Sequence, residues 1–248
     1  MRHSFVNMEK PPVLLGMSPV SVEDALQTMA LGLDQGAEGF CIQMEDLIPE
    51  QHNANSFKKI IDAAGGRPVY ATDYRPKNRP FTEDELAKNA LLLADCGADL
   101  VDVLGDLYDP QPFQMSYDPA AVEKQMHLVE KLHEKGVEVL MSAHVQQYRT
   151  TEQVMEIALA QQARGADVVK MVTKAENMDQ QLENLRTQAL LKQELKAGNL
   201  FLSNGECRLH RRVGPMLGAC MYLCRLNHEV ANQPTLASAL AFRDNYPW

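Results

Sequence analysis

With 248 residues, 45% of them hydrophobic, and a net charge of −9, the chain is long enough for one large core and has no clustered basic surface. That balance argues against a nucleic-acid footprint and a basic membrane-docking face, and leaves a small molecule as the expected partner. The opening residues lack the apolar stretch of a signal peptide, no run is long enough to cross a bilayer, and the five cysteines (Cys41, Cys96, Cys207, Cys220, Cys224) contain no CxxC pair, so a cytoplasmic chain of reduced thiols is expected.

The first apolar run is 13–17. A helix-like stretch then stops at Gly36-Ala37-Glu38 and a second run, 40–44, follows. Gly65-Gly66 precedes the run 68–71, and Thr82-Glu83-Asp84-Glu85 opens the next helix as a capping box. The punctuation repeats as Gly97-Ala98-Asp99 before 100–104, Gly136 before 137–141, Gly165-Ala166-Asp167 before 168–172 and Gly198 before 200–202. Thr150-Thr151-Glu152-Gln153 starts another helix, and a run at 219–223 is the eighth. Each glycine is expected to end a helix in the left-handed conformation and release the chain into a strand. Short apolar strands alternating with amphipathic helices predict an α/β fold, a single-domain (β/α)8 barrel over residues 1–248. An open dinucleotide-binding sheet is the runner-up, but no GxGxxG follows the first strand.

In such a barrel the chemistry sits where strands end. Lys170 interrupts the apolar strand Asp167-Val168-Val169-Lys170-Met171-Val172, where burial penalises an ammonium. It is read either as an amine snorkelling to the rim or paired with a carboxylate, or as a nucleophile. His144 ends the preceding strand, close enough for an imidazole and the amine to meet one bound molecule. Cys41 and Gln43 alternate inward on the second strand and are expected to line the pocket. Cys41 has no identifiable histidine partner, and His127 and His133 are out of phase for a metal pair. No metal and no cofactor are predicted.

Ser142-Ala143-His144, Thr150-Thr151 and Gly165-Ala166-Asp167-Val168-Val169-Lys170 together resemble the type I 3-dehydroquinate dehydratase family of class I aldolase-like barrels. Thr72-Asp73-Tyr74-Arg75 is similar to its Thr-x-Arg element, His210-Arg211-Arg212-Val213-Gly214 to its Ser-Arg-x-x-Gly, and Ala237-Ser238-Ala239 to its substrate-covering loop. The resemblance implies an imine on Lys170 with His144 as general acid and base. It further implies Arg75, Arg211 and Ser238 as substrate-binding residues, with Arg212 or Arg79 able to replace the arginines if the register shifts, and a homodimer. The departures are a second strand reading Cys41-Ile42-Gln43-Met44-Glu45 in place of Glu-x-Arg-x-Asp, no Glu-Gly-Gly after the third strand, and Leu240-Ala241-Phe242 in place of the lid Pro-Gly-Gln. Losing polar groups that pair with substrate hydroxyls changes specificity. The resemblance nonetheless implies dehydration of 3-dehydroquinate as the expected activity. The alternatives are a Schiff-base lyase or aldolase acting on another hydroxy-keto acid and, from a different class, a non-catalytic metabolite-binding barrel.

Overall fold

Helix starts follow the capping chemistry. Ser21, Asn53, Thr82, Asp118, Thr150, Asn177 and Thr235 each accept an orphan N–H of the first turn of their helix, and both predicted capping boxes, at Thr82 and Thr150, are present. This computed structural model describes every residue except Met1, Asn7, 77–80, Ala231, Pro247 and Trp248, so Arg79 lies outside the described residues.

The elements run β1 (Val13–Met17), α1 (Val22–Asp34), β2 (Gly39–Gln43), α2 (Ala54–Asp62), β3 (Val69–Thr72), α3 (Glu83–Asp95), β4 (Leu100–Leu104) and α4 (Pro119–Glu134). They continue with β5 (Glu138–His144), α5 (Thr151–Ala163), β6 (Val168–Ala175), α6 (Met178–Glu194), β7 (Gly198–Gly205), α7 (Arg208–Val213), β8 (Tyr222–Cys224) and α8 (Leu236–Asp244). One parallel sheet takes in all eight strands in the order β7-β6-β5-β4-β3-β2-β1-β8 and curls into the predicted (β/α)8 architecture. The β7–β8 seam has no ladder. It is bridged by the Cys220 N–H on Asn199 O at 2.9 Å and by the Asn199 side-chain amide on Gly218 O at 3.1 Å.

Strand alternation divides the core in two. Leu14, Cys41, Tyr70, Leu100, Leu140 and Val168 face the barrel interior in a cluster that Phe5 joins. Residues of opposite parity, among them Leu15, Ile42, Val101 and Met171, pack beneath the helices. Gly97 (φ 107°) and Gly165 (φ 91°) hold the predicted left-handed positions after their helices. Gly198 does not. α6 has already ended at Glu194, and Gly198 begins β7, where a Cβ would lie 3.0 Å from a Val6 methyl, so close packing rather than helix termination requires glycine. No helix among the described residues is long and apolar enough to cross a membrane.

Candidate active site

The inward positions turn polar toward the carboxyl ends of the strands. In the β5–β6 ladder Ser142 lies opposite Lys170 and His144 opposite Val172, so Lys170 and His144 share the interior face one step apart in height. Both line a cavity of about 190 Å³ at this end of the barrel.

Lys170 is 5% exposed. Its Nζ donates to the hydroxyls of Tyr74 at 2.6 Å and Tyr70 at 2.9 Å, and stands 3.4 Å from Asp102 Oδ2. The two phenols in turn donate to the same Asp102 oxygen, Tyr74 at 2.6 Å, while Ser142 Oγ donates to Asp102 Oδ1 at 2.6 Å. Burial first, and then the Asp102 charge, push both phenol pKa values well above 10, so the tyrosines stay protonated. Lys170 therefore pairs with a carboxylate and also faces the cavity.

His144 is held by Gln114, whose side-chain oxygen accepts the His144 backbone N–H at 3.0 Å and lies 2.7 Å from Nδ1. A carbonyl oxygen only accepts, so Nδ1 carries the proton and Nε2 the lone pair. Burial, reinforced by the Lys170 and Arg211 charges, lowers the His144 pKa well below 6.5 and keeps the ring neutral. Tyr74 packs edge-on against it at 5.2 Å.

The other expected residues divide. Cys41, Gln43 and Arg211 line the cavity. Burial raises the Cys41 pKa to about 12, which leaves an inert thiol, and Gln43 accepts a hydrogen bond from Ser18. Arg211 donates to Ser203 O at 2.9 Å and Asn204 Oδ1 at 2.7 Å, whereas Arg212 pairs with Glu229 at the surface, which settles the register between them. Arg75 does not line the cavity. Glu83 binds its guanidinium through both carboxylate oxygens at 2.9 and 2.6 Å, and Asp106 Oδ1 takes NH1 at 2.8 Å, so it ties a loop together and is unavailable as a substrate clamp. Ser238 also lies outside the lining. It sits in the first turn of α8, its N–H on Thr235 Oγ1. The expected absence of a lid glutamine is likewise corrected, because Gln233, ahead of α8, reaches the cavity with its buried side-chain oxygen unpartnered.

Several residues of the site escaped the sequence. Asp102 and Tyr70 are inward positions of runs read as apolar strands, with no role given to either residue. Arg225 lies two residues beyond Leu223, so continuing the alternation of that run by one step finds it. Gln114 comes from an irregular loop and has no periodic signal. Glu45, which ends the second-strand stretch named above only as a departure from the family's motif, is buried and accepts from Thr72 Oγ1 at 3.0 Å, with a pKa raised to about 8, chiefly by burial. Among the described residues no group of three or more His, Cys, Asp or Glu is placed to hold a metal ion.

No curated protein sequence matches the chain. Its fold is similar to solved structures at 14% identity. The 3-dehydroquinate dehydratase of Geobacillus kaustophilus has a TM-score of 0.82, with 98% of this chain and 95% of that one covered. The type I 3-dehydroquinate dehydratase of Clostridium difficile has a TM-score of 0.81 (96% and 92%), and the 3-dehydroquinate dehydratase of Enterococcus faecalis 0.78 (96% and 95%). The family model described as Type I 3-dehydroquinase matches residues 74–244, more than half of the sequence and the span that carries Lys170 and His144. The chain belongs to the type I 3-dehydroquinase family.

Proposed function

We propose that this protein is a Schiff-base hydro-lyase, a carbon–oxygen lyase that dehydrates a hydroxy-keto acid, with 3-dehydroquinate, the substrate for which its family is named, as the first candidate. The observation that carries this reading is a buried lysine amine facing a cavity, with a neutral histidine on the neighbouring strand β5 and a carboxylate behind it.

An ammonium cannot attack a ketone, so Lys170 must first lose a proton. Tyr74 is within hydrogen-bond distance of both Nζ and Asp102. It can accept the Lys170 proton while passing its own to Asp102, converting a buried ion pair into two neutral groups. The amine adds to the ketone carbon, the hydroxyl of the resulting carbinolamine takes up the proton held on Asp102 by way of Tyr74 and departs as water, and an iminium forms. His144 Nε2 removes the proton α to the iminium carbon and returns it to the departing β-hydroxyl, expelling water. Hydrolysis of the conjugated iminium releases an enone and regenerates the amine. Lys170 is itself the electron sink, so the reaction calls for no cofactor.

The second reading, another hydroxy-keto acid on the same machinery, is favoured by the inert Cys41 and the apolar Val172, Leu202 and Leu223 in the lining, none of which can bind a substrate hydroxyl well. Turnover of 3-dehydroquinate, followed by the ultraviolet absorbance of the enone, separates the two. The first reading predicts turnover that disappears in Lys170→Met, and its absence with the native protein moves the substrate to the second. Five free thiols suit a reducing compartment such as the cytoplasm. A homodimer is proposed from the resemblance alone, and light scattering tests it.

A further inference from the structure

Among the described residues two guanidiniums line the cavity and no carboxylate does. Asp102 lies behind Tyr74 and balances Lys170, so Arg211 and Arg225 face the space uncompensated. Each is anchored by part of its donor set only. Arg211 uses Nε and NH2 on Ser203 O and Asn204 Oδ1, leaving NH1 buried and unpartnered, and Arg225 places NH1 on Gly16 O at 3.1 Å, leaving Nε buried and unpartnered. A buried N–H of a charged group is rarely left unmade, so both point to an acceptor that arrives with the ligand. Burial has already lowered the Arg211 pKa to about 10, consistent with a cation held in place without its counter-ion.

The two anchors are on different elements. Arg211 belongs to α7, whereas Arg225 follows β8 and borders a second cavity of about 300 Å³ that shares Gly16 and Met17 with the first. In that second cavity the Asp24 carboxylate is engaged with the Val20 N–H. Gly16 lies at the junction, where a Cβ would stand 3.2 Å from Cys224 O and in ordinary contact with Gln233 Oε1 and Arg225 Cζ.

We propose that Arg211 and Arg225 fit the cavity to a dicarboxylic hydroxy-keto acid, one carboxylate on each, and that Arg225 is the residue that selects it; 3-dehydroquinate carries a single carboxylate, so this substrate deepens the second reading above. The proposal rests on the reading of this cavity as the substrate site. Planar guanidiniums suit carboxylates because two parallel N–H donors match two oxygens, and two such contacts discriminate a diacid from a monoacid of the same skeleton.

The test compares 4-oxoheptanedioate with 4-oxoheptanoate, ketones that differ only in the second carboxylate. Calorimetry measures binding to the full chain, and borohydride reduction with intact mass measures imine formation separately. The diacid is expected to bind at least about tenfold more tightly, with the ratio falling to about twofold or less in Arg225→Gln and the monoacid affinity little changed. Arg225→Lys, which keeps the charge but not the fork, also lowers the ratio and decides the matter if the glutamine variant fails to fold. Equal binding of the two ketones by the native chain, or a ratio unaltered in the folded variants, overturns the proposal. A diacid preference that depends on Arg225 without any borohydride adduct leaves the proposal standing and removes the Schiff-base reading. Adducts formed equally from both ketones, with equal affinities, do the reverse.

Discussion

Lys170 and Asp102 are a buried pair 3.4 Å apart, joined through the hydroxyls of Tyr70 and Tyr74. Asp102→Asn leaves an ammonium uncompensated in the barrel and strands two phenol donors. It is expected to cost about 3 to 5 kcal/mol in urea unfolding and to abolish turnover. Tyr74→Phe keeps the pair but removes the shorter bridge, and a drop in kcat of about 10²-fold is expected in steady-state assays. His144 is neutral well below pH 6.5, so the acid limb of the kcat/KM profile is expected below that value, and a limb at the ordinary histidine pKa would show that the ring is solvated. Lys170 and His144 were legible because a charged or titratable side chain in an apolar strand contradicts its surroundings. Arg75 was misread because its partners, Glu83 and Asp106, reach it from later segments, and no periodicity reports that meeting.

At the scale of elements, the segment between β4 and α4 orients the base. Gly105 receives Ser116 N–H, Arg164 NH1 and the Gln125 amide on its carbonyl, and its own N–H binds Ser142 O, so the segment lies flat against β5. A Cβ on Gly105 would meet Met115 Sδ at 2.8 Å and Gln114 O at 2.9 Å, and Gln114 itself holds a left-handed φ of 50°. Gly105→Ala is therefore expected to displace Gln114 from His144 and lower kcat at least about tenfold, while imine trapping, which precedes the step that uses His144, continues. Strands and helix starts were readable from alternation and capping residues. This segment was not, because its shape is set by carbonyls that converge only when Arg164 of the distant α5–β6 connection folds beneath it.

For the whole molecule, the end of the barrel away from the active site is filled by Phe5, 1% exposed, whose N–H donates to Glu138 Oε2 at the start of β5. Phe5→Ala is expected to remove about 3 to 5 kcal/mol of stability in chemical denaturation while the folded fraction keeps its turnover. Stability also depends on pH through His210, which is buried against Ser203 and has a pKa of about 3. Below pH 6.5 the unfolded chain takes up a proton that the folded chain refuses, so this contribution is complete above that pH and declines as pH falls toward 3. A shallower acid decline in His210→Gln would identify the residue. The (β/α)8 architecture was legible from eight apolar runs, but the unladdered β7–β8 seam was not, because a strand of three residues carries too little pattern to reveal its pairing.

Sodium borohydride reduction of the native chain with 3-dehydroquinate and a panel of keto dicarboxylates, followed by intact mass and peptide mapping, tests the imine directly. The expected result is one stoichiometric adduct on Lys170 with at least one of these ketones, absent from Lys170→Met. No adduct with any of them, or an adduct that survives in Lys170→Met, would contradict the account.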